Sequence, residues 1–259
     1  MKVGTLLPKY TGMNMFGQSL DISDVVEDVL ANSSKKAITC MEKAGVKLPT
    51  EMTVELAELL GWAVSEGCAS VGYSIEQHHA ENRARIRELG EYLFGKEAVA
   101  EKETSVVWRS VVVQRFLTAL CGKGLSKHRF MPRAIRKAPK YIVSAFLRSL
   151  FEGDGTIYVF NKGTTEEPKF GGYCLEYTTI SKTLAQELLV MLENYGISCA
   201  VSQSEQYQSQ GGKARVFTLG INRSAFGLFQ QEVGFLSKEK TKLLKKAVKY
   251  RNEVNGTNN

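Results

Sequence analysis

The sequence predicts an α+β protein made of two pseudo-symmetric αββαββα repeats around a central pair of helices. Two observations carry this: a run of small residues ending in an acid and a glycine occurs twice, and the same order of helix-like and strand-like segments follows each copy. The first copy is Ala57, Gly61, Ser65, then Glu66-Gly67; the second is Ala145, Ser149, Gly153, then Asp154-Gly155. Each position is displaced by the same 88 residues, from Ala57 to Ala145 and from Glu66 to Asp154.

Residues four apart share a face of a helix, so each copy presents a ridge without bulk, and two such ridges can meet nearly backbone to backbone. The remaining positions are apolar: Leu56, Leu59, Leu60, Trp62 and Val64 in one, Phe146, Leu147, Leu150 and Phe151 in the other. Helices this apolar belong in a core beneath a sheet. Thr50 or Thr53 suits the start of the first. Gly67 and Gly155 suit the left-handed residue that ends a helix.

The elements that follow run in parallel. After the first motif, Ala69–Gln77 reads as strand, His79–Phe94 as a polar helix closed by Gly95, Glu97–Glu103 and Ser105–Val113 as strands, and a short helix ends near Cys121. After the second, Thr156–Phe160 and Tyr173–Ile180 read as a hairpin with a long polar tip. Ser181 caps a helix to Tyr195 closed by Gly196, Ser198–Tyr207 and Lys213–Ile221 read as strands, and a helix begins near Ser224. This divides the chain into an extension (1–48), a first repeat (49–136) and a second repeat (137–255). In the extension Asp21–Gly45 reads as helical, with Lys35, Lys36, Lys43 and Lys47 available for phosphates and packing against the body as the plainer use.

The composition is that of a globular protein, 43% hydrophobic and 24% charged. No apolar run is long enough to span a bilayer and the N-terminus lacks a secretory pattern, so a soluble intracellular protein is expected. Five scattered cysteines with no C-x-x-C pair exclude a disulfide framework or zinc cluster. A net charge of +7 favours a polyanionic partner without naming it.

The repeat also carries chemistry. Glu66 and Asp154, at the ends of two paired helices, should emerge side by side near a pseudo-two-fold axis. Carboxylates forced together repel unless neutralised, and a divalent cation such as Mg²⁺ is the natural counter-charge. The repeat tails match as well: Leu125-Ser126-Lys127-His128-Arg129 and Leu236-Ser237-Lys238-Glu239-Lys240 each place basic residues that can stabilise charge on a phosphate. His78 and His79 are not spaced as a metal pair and read as solvent-facing or helix-start residues. Gly211-Gly212-Lys213 lacks the rest of a phosphate loop and reads as a hairpin turn.

Leu59-Leu60-Gly61-Trp62-Ala63-Val64-Ser65-Glu66-Gly67 and Leu147-Arg148-Ser149-Leu150-Phe151-Glu152-Gly153-Asp154-Gly155 resemble the two motifs of the LAGLIDADG homing endonucleases, especially those carried inside inteins. Arg129-Phe130-Met131-Pro132 and Gly234-Phe235-Leu236-Ser237 are similar to the flanking patterns, and the resemblance runs over about 48 to 250. It implies saddle-shaped sheets lying on double-stranded DNA, a monomer, and a divalent metal held by Glu66 and Asp154 that activates water for a double-strand cut. Glu for Asp at position 66 lengthens that arm by one methylene. The family's basic residue falls at Lys127 or Arg129 in the first half and at Lys238 or Lys240 in the second. Strand positions implied for DNA contact are Tyr73, Glu76, Arg109, Tyr158, Lys162, Glu176, Thr178, Gln206, Lys213 and Arg215. Met1 and the ending Asn258-Asn259 lack the termini of a splicing intein, so no splicing is expected. Two rival functions remain: an RNA maturase aiding intron splicing, and a DNA-binding regulator that does not cut.

Overall fold

The computed structural model describes residues 12–69, 72–123, 126–163, 168–207 and 213–256. Its centre is the expected helix pair, α3 (Val54–Glu66) against α7 (Lys140–Asp154). Thr53 caps α3, its hydroxyl accepting from Leu56 N. The two ridges meet closely: a Cβ on Gly61 would lie 2.0 Å from Ser149 Oγ and 2.4 Å from the Phe146 carbonyl oxygen, and one on Gly153 would lie 2.3 Å from Ser65 Oγ. Thus Gly61 packs on Ser149 while Ser65 packs on Gly153, a glycine against a serine at each of two symmetry-related levels. Both serines return their hydroxyls to their own helix, Ser65 to Gly61 O and Ser149 to Phe146 O, so neither leaves a polar group stranded in the contact.

Two four-stranded antiparallel sheets flank the pair with the same topology, β1-β2-β4-β3 and β5-β6-β8-β7. The first comprises β1 (Gly67–Cys68), β2 (Ser74–Glu76), β3 (Val99–Glu101) and β4 (Ser105–Trp108), with α4 (Ala80–Phe94) between its hairpins. The second comprises β5 (Gly155–Gly163), β6 (Pro168–Thr179), β7 (Cys199–Tyr207) and β8 (Lys213–Ile221), with α8 (Lys182–Tyr195) in the matching place. Helices α5 (Val111–Cys121) and α9 (Phe226–Glu232) close the repeats. The short α6 (Arg133–Arg136) precedes α7, and a long basic helix, α10 (Lys238–Gly256), ends the described chain.

Three expectations are corrected. Gly67 and Gly155 are not left-handed; both are extended (φ −72°, ψ 142° and φ −78°, ψ 144°) and begin strands. Glycine is needed there for room, since a Cβ would sit 2.1 Å from Ala63 O and 2.5 Å from Phe151 O. The expected strand Ser105–Val113 stops at Trp108, and Val111–Val113 open α5. Their β-branched side chains favour strand, but Val112, Val113, Phe116, Leu117 and Leu120 form one buried helical face, and that burial outweighs local propensity. The expected Ala69–Gln77 strand is confined, among the described residues, to Ser74–Glu76. The tip of the β5–β6 hairpin and the Gly211-Gly212 turn lie outside the described residues.

Residues 12–48 pack on the body. Gly12 N and Asn14 N donate to Glu193 O and Asn194 O at the end of α8, Ser19 N donates to Lys137 O, and Met52 N donates to Leu20 O. Two short helices follow, α1 (Ser23–Ala31), which buries Val26 and Val29, and α2 (Lys35–Lys43), capped by Ser34. The segment therefore runs from the second repeat to the first.

Candidate functional site

Because α3 and α7 touch along their length, the carboxylates that end them arrive together: Glu66 Cγ lies 3.5 Å from where a Cβ of Gly153 would stand, one residue from Asp154. Both acids titrate above their ordinary range. For Glu66 the chief cause is burial, opposed by the positive charges of Arg129, His78 and Lys240 and reinforced by Glu76. For Asp154 burial and the charge of Glu66 push the carboxyl up to about 7 against the pull of Arg129, a hydrogen bond from Tyr177 and Lys240.

The two acids are held differently. Asp154 Oδ2 accepts from Tyr177 Oη at 3.1 Å and from Arg129 Nη1 at 3.3 Å. Strand register explains the first contact: Tyr177 on β6 is paired with Gly155, immediately after the acid. The matching partner of Gly67 on β2 is Ile75, which has nothing to donate. Arg129 comes from the tail of the first repeat and crosses to the acid of the second. Its backbone carbonyl accepts from Ser181 Oγ at 2.6 Å, and Met131 N, two residues on, donates to Glu187 Oε2 at 2.7 Å, so α8 pins this stretch.

Lys240, the counterpart of Arg129 in the second tail, is drawn under the end of α7, where its ammonium donates to the carbonyl oxygens of Gly155 (2.9 Å) and Glu152 (2.5 Å). A cation there complements the negative end of the helix. Burial lowers its pKa. The Glu152 carboxylate fixes the approach by accepting from Leu236 N and Ser237 N.

Lys127 and Lys238 do not join the pair; Lys127 is exposed on a short 3₁₀ turn and Lys238 is exposed at the edge of the cleft. That cleft, of about 790 Å³, opens beside Glu66 and is lined by His78, His79, Glu152, Ser237 and Lys240 among others. His78, read from sequence as a solvent-facing or helix-start residue, is exposed, and it also lines this cleft with Glu66, on which its charge acts.

Among the strand candidates, Tyr158, Glu176 and Thr178 share the side of the second sheet opposite the buried Leu175 and Tyr177; Gln206 of β7 is paired with Ala214 of β8. Tyr158 Oη and Glu176 Oε2 lie 3.5 Å apart. Glu76 is exposed at the end of β2, and Lys162 is exposed toward the far end of β5. Lys213 and Arg215 lie at the outer end of β8, with Lys213 Nζ 3.9 Å from Glu205. Two candidates are displaced. Tyr73 is 1% exposed, edge-on to Trp108 in the core, because the short first hairpin turns it inward. Arg109 lies beyond β4 and borders a groove with α2. Sequence reasoning missed Tyr177 and Glu152. The alternation of β6 from Gly155's partner could have found the tyrosine; nothing local points to the glutamate.

Among the described residues no group of three or more His, Cys, Asp and Glu side chains is arranged to hold a metal. Glu66 and Asp154 supply oxygen ligands of the kind Mg²⁺ and Ca²⁺ take, and a cation would stabilise the charged forms that burial disfavours in both. Also among the described residues, no helix is long and apolar enough to cross a membrane.

Residues 142–234, from within α7 through α9, match the model of the LAGLIDADG-like domain, in line with the resemblance drawn from the motifs. The chain is 28% identical over 132 residues to the DNA gyrase A protein of Mycobacterium leprae (strain TN), covering 51% of this chain and 9% of that protein. It is 25% identical over 154 residues to a DNA polymerase of Thermococcus litoralis (56% and 8%) and 24% identical over 208 residues to the replicative DNA helicase DnaB of Synechocystis (73% and 23%). The chain thus spans a quarter or less of each. Among solved structures, it overlaps the homing endonuclease I-WcaI bound to its DNA recognition sequence at 12% identity and a TM-score of 0.48, covering 85% of this chain and 97% of that one. It overlaps the N-terminal LAGLIDADG domain of DUF199/WhiA at 14% identity and a TM-score of 0.43, covering 86% and 98%.

Proposed function

We propose that this chain is a site-specific DNA endonuclease that makes a divalent-metal-dependent double-strand break. The observation that carries the reading is the convergence of Glu66 and Asp154 at the ends of two touching helices, with Arg129 and Lys240 beside them. Two carboxylates raised chiefly by burial, Asp154 also by the charge of Glu66, favour a cation beside them, and the partly buried guanidinium of Arg129 suits a phosphate oxygen. Among the described residues Arg129 Nε is buried and has no acceptor, leaving a donor for such an oxygen.

In this reading Glu66 and Asp154 hold Mg²⁺, or another divalent ion, which would supply Lewis acidity toward a phosphate and an activated water. The residues of the chain do the rest. Arg129 stabilises negative charge that grows on the phosphate. Lys240, tethered to two carbonyl oxygens, adds positive charge without itself ligating the ion. Tyr177 fixes the rotamer of Asp154. The open side of the second sheet, with Tyr158, Glu176 and Thr178, faces the DNA, and strand alternation lets these reach base edges while the other side stays in the core. The repeats then correspond to 49–136 and 137–255, one acid from each.

The relatives support reading the chain as a module in its own right. A polymerase, a helicase and a gyrase protein differ in activity, yet each shares with this chain only a small part of its length. Their shared part is not what makes them different enzymes.

The test is selection of cleaved sites from a random duplex library with Mg²⁺. A single recurring site, cut on both strands and silenced by EDTA and by Asp154→Asn, is expected. Duplex binding without cutting would make the chain a regulator, and preferential binding of structured intron RNA would make it a maturase.

A further inference from the structure

We propose that the exposed face of α10 is a track for duplex-DNA phosphates lying beyond the stretch read by the sheets; the inference rests on the endonuclease reading. α10 is two-sided. Leu244 and Ala247 are buried, Leu243 and Val248 pack against the core, and Tyr250 meets Phe170 and Tyr173 with ring centroids 4.9 and 6.0 Å away. The other side carries Lys238, Lys242, Lys245, Lys246 and Lys249. Positions 238, 242, 245 and 249 recur at the spacing of a single helix face, with Lys246 beside them. Glu239 lies at one end and Glu253 at the other, the latter 3.8 Å from Lys249 in a solvent-exposed pair. Between them the lysines repel one another at similar charge, so the face is incomplete without a polyanion.

The occupant follows from where the helix starts. Lys238, Glu239 and Lys240 line the cleft beside Glu66, so the stripe is continuous with the place where a scissile phosphate would lie. From Lys238 to Lys249 the helix advances roughly 16 Å, about five base-pair steps of duplex. Lysine is a mobile point charge without the planar fork that reads guanine, so the stripe engages backbone rather than sequence.

The test compares wild type with Lys242→Gln/Lys245→Gln/Lys246→Gln/Lys249→Gln, which spares Lys238 and Lys240 and keeps good helix formers. The probe is a long random-sequence duplex, titrated over a range of KCl, with single-stranded RNA and polyglutamate in parallel. Each engaged lysine contributes about 0.9 to the slope of log K against log salt, so a slope shallower by up to about 3.6 is expected for the duplex. Unchanged far-ultraviolet dichroism checks that α10 is still folded. A duplex slope equal to wild type overturns the track while leaving the sheets as the DNA surface. Loss confined to RNA or to polyglutamate overturns duplex as the occupant. No salt-dependent duplex binding by the wild type overturns both this inference and the endonuclease reading.

Discussion

The halves of the molecule that follow α3 and α7 share one topology but hold their acids differently. After α7 the hairpin is long, β5 of 9 residues and β6 of 12, and it delivers Tyr177 to Asp154. After α3 the strands are of 2 and 3 residues, and Ile75 stands where the tyrosine would be. Arg129 adds to the imbalance by crossing from the first half to the second acid. Helix packing alone therefore sets where the acids meet, while sheet length and tail residues set how firmly each is held. The pair is symmetric in position and asymmetric in environment: Asp154 is fixed, and Glu66, one methylene longer, faces the open cleft.

If both acids serve one metal site, removing either should be equally harmful despite this asymmetry. Glu66→Gln and Asp154→Asn are each expected to reduce double-strand cutting on the order of 10³-fold while leaving duplex binding intact, as read by gel cleavage and filter binding. A variant of either acid that cuts at the wild-type rate would separate the two halves functionally.

The next effect is on stability and belongs to the enclosed acid. Folded Asp154 holds its proton up to about pH 7, whereas the ordinary carboxyl releases it near 3.8. Between these values the unfolded chain binds fewer protons, so stability falls as pH rises through that window and is unaffected below it. Without divalent ions, Asp154→Asn should gain up to about 4 kcal/mol at pH 8 relative to pH 4 when compared with wild type. Urea melts at the two pH values measure this, and parallel curves for the two proteins would remove the charge strain from the account.

Within the helix contact, the two glycines should differ. A methyl at Gly61 meets the backbone carbonyl of Phe146, which cannot move away, whereas at Gly153 it meets the Ser65 side chain. Gly61→Ala should cost about 3 kcal/mol and Gly153→Ala less, with melting temperature as the readout. The smallest effect is expected for Tyr177→Phe, which removes one hydrogen bond worth about 1 kcal/mol. It should raise the Asp154 pKa further, as followed by carboxyl carbon resonances; a downward shift would contradict the hydrogen bond.

The helix pair and its acids were legible because a ridge of Ala, Gly and Ser at a spacing of four has a direct packing consequence. The repeat order was legible because hydrophobic periodicity switches between two and 3.6 in the same sequence each time. The rest depended on tertiary context. Val111–Val113 have strand propensity, and only burial of the α5 face made them helical. Gly67 and Gly155 suggested a left-handed turn, but steric room under Ala63 and Phe151 is what they provide. Tyr73 sat in a strand-like run, and the short hairpin turned it into the core. That Arg129 rather than Lys127 reaches Asp154 depends on contacts with Ser181 and Glu187, more than 50 residues away in the chain.

The central claim is that the two helix-end carboxylates share a cation. A crystal grown with the duplex the protein selects and soaked in Mn²⁺ tests it by anomalous scattering. The account predicts a peak bridged by the carboxylates of Glu66 and Asp154; a map with Mn²⁺ bound elsewhere and none between these two side chains would contradict it.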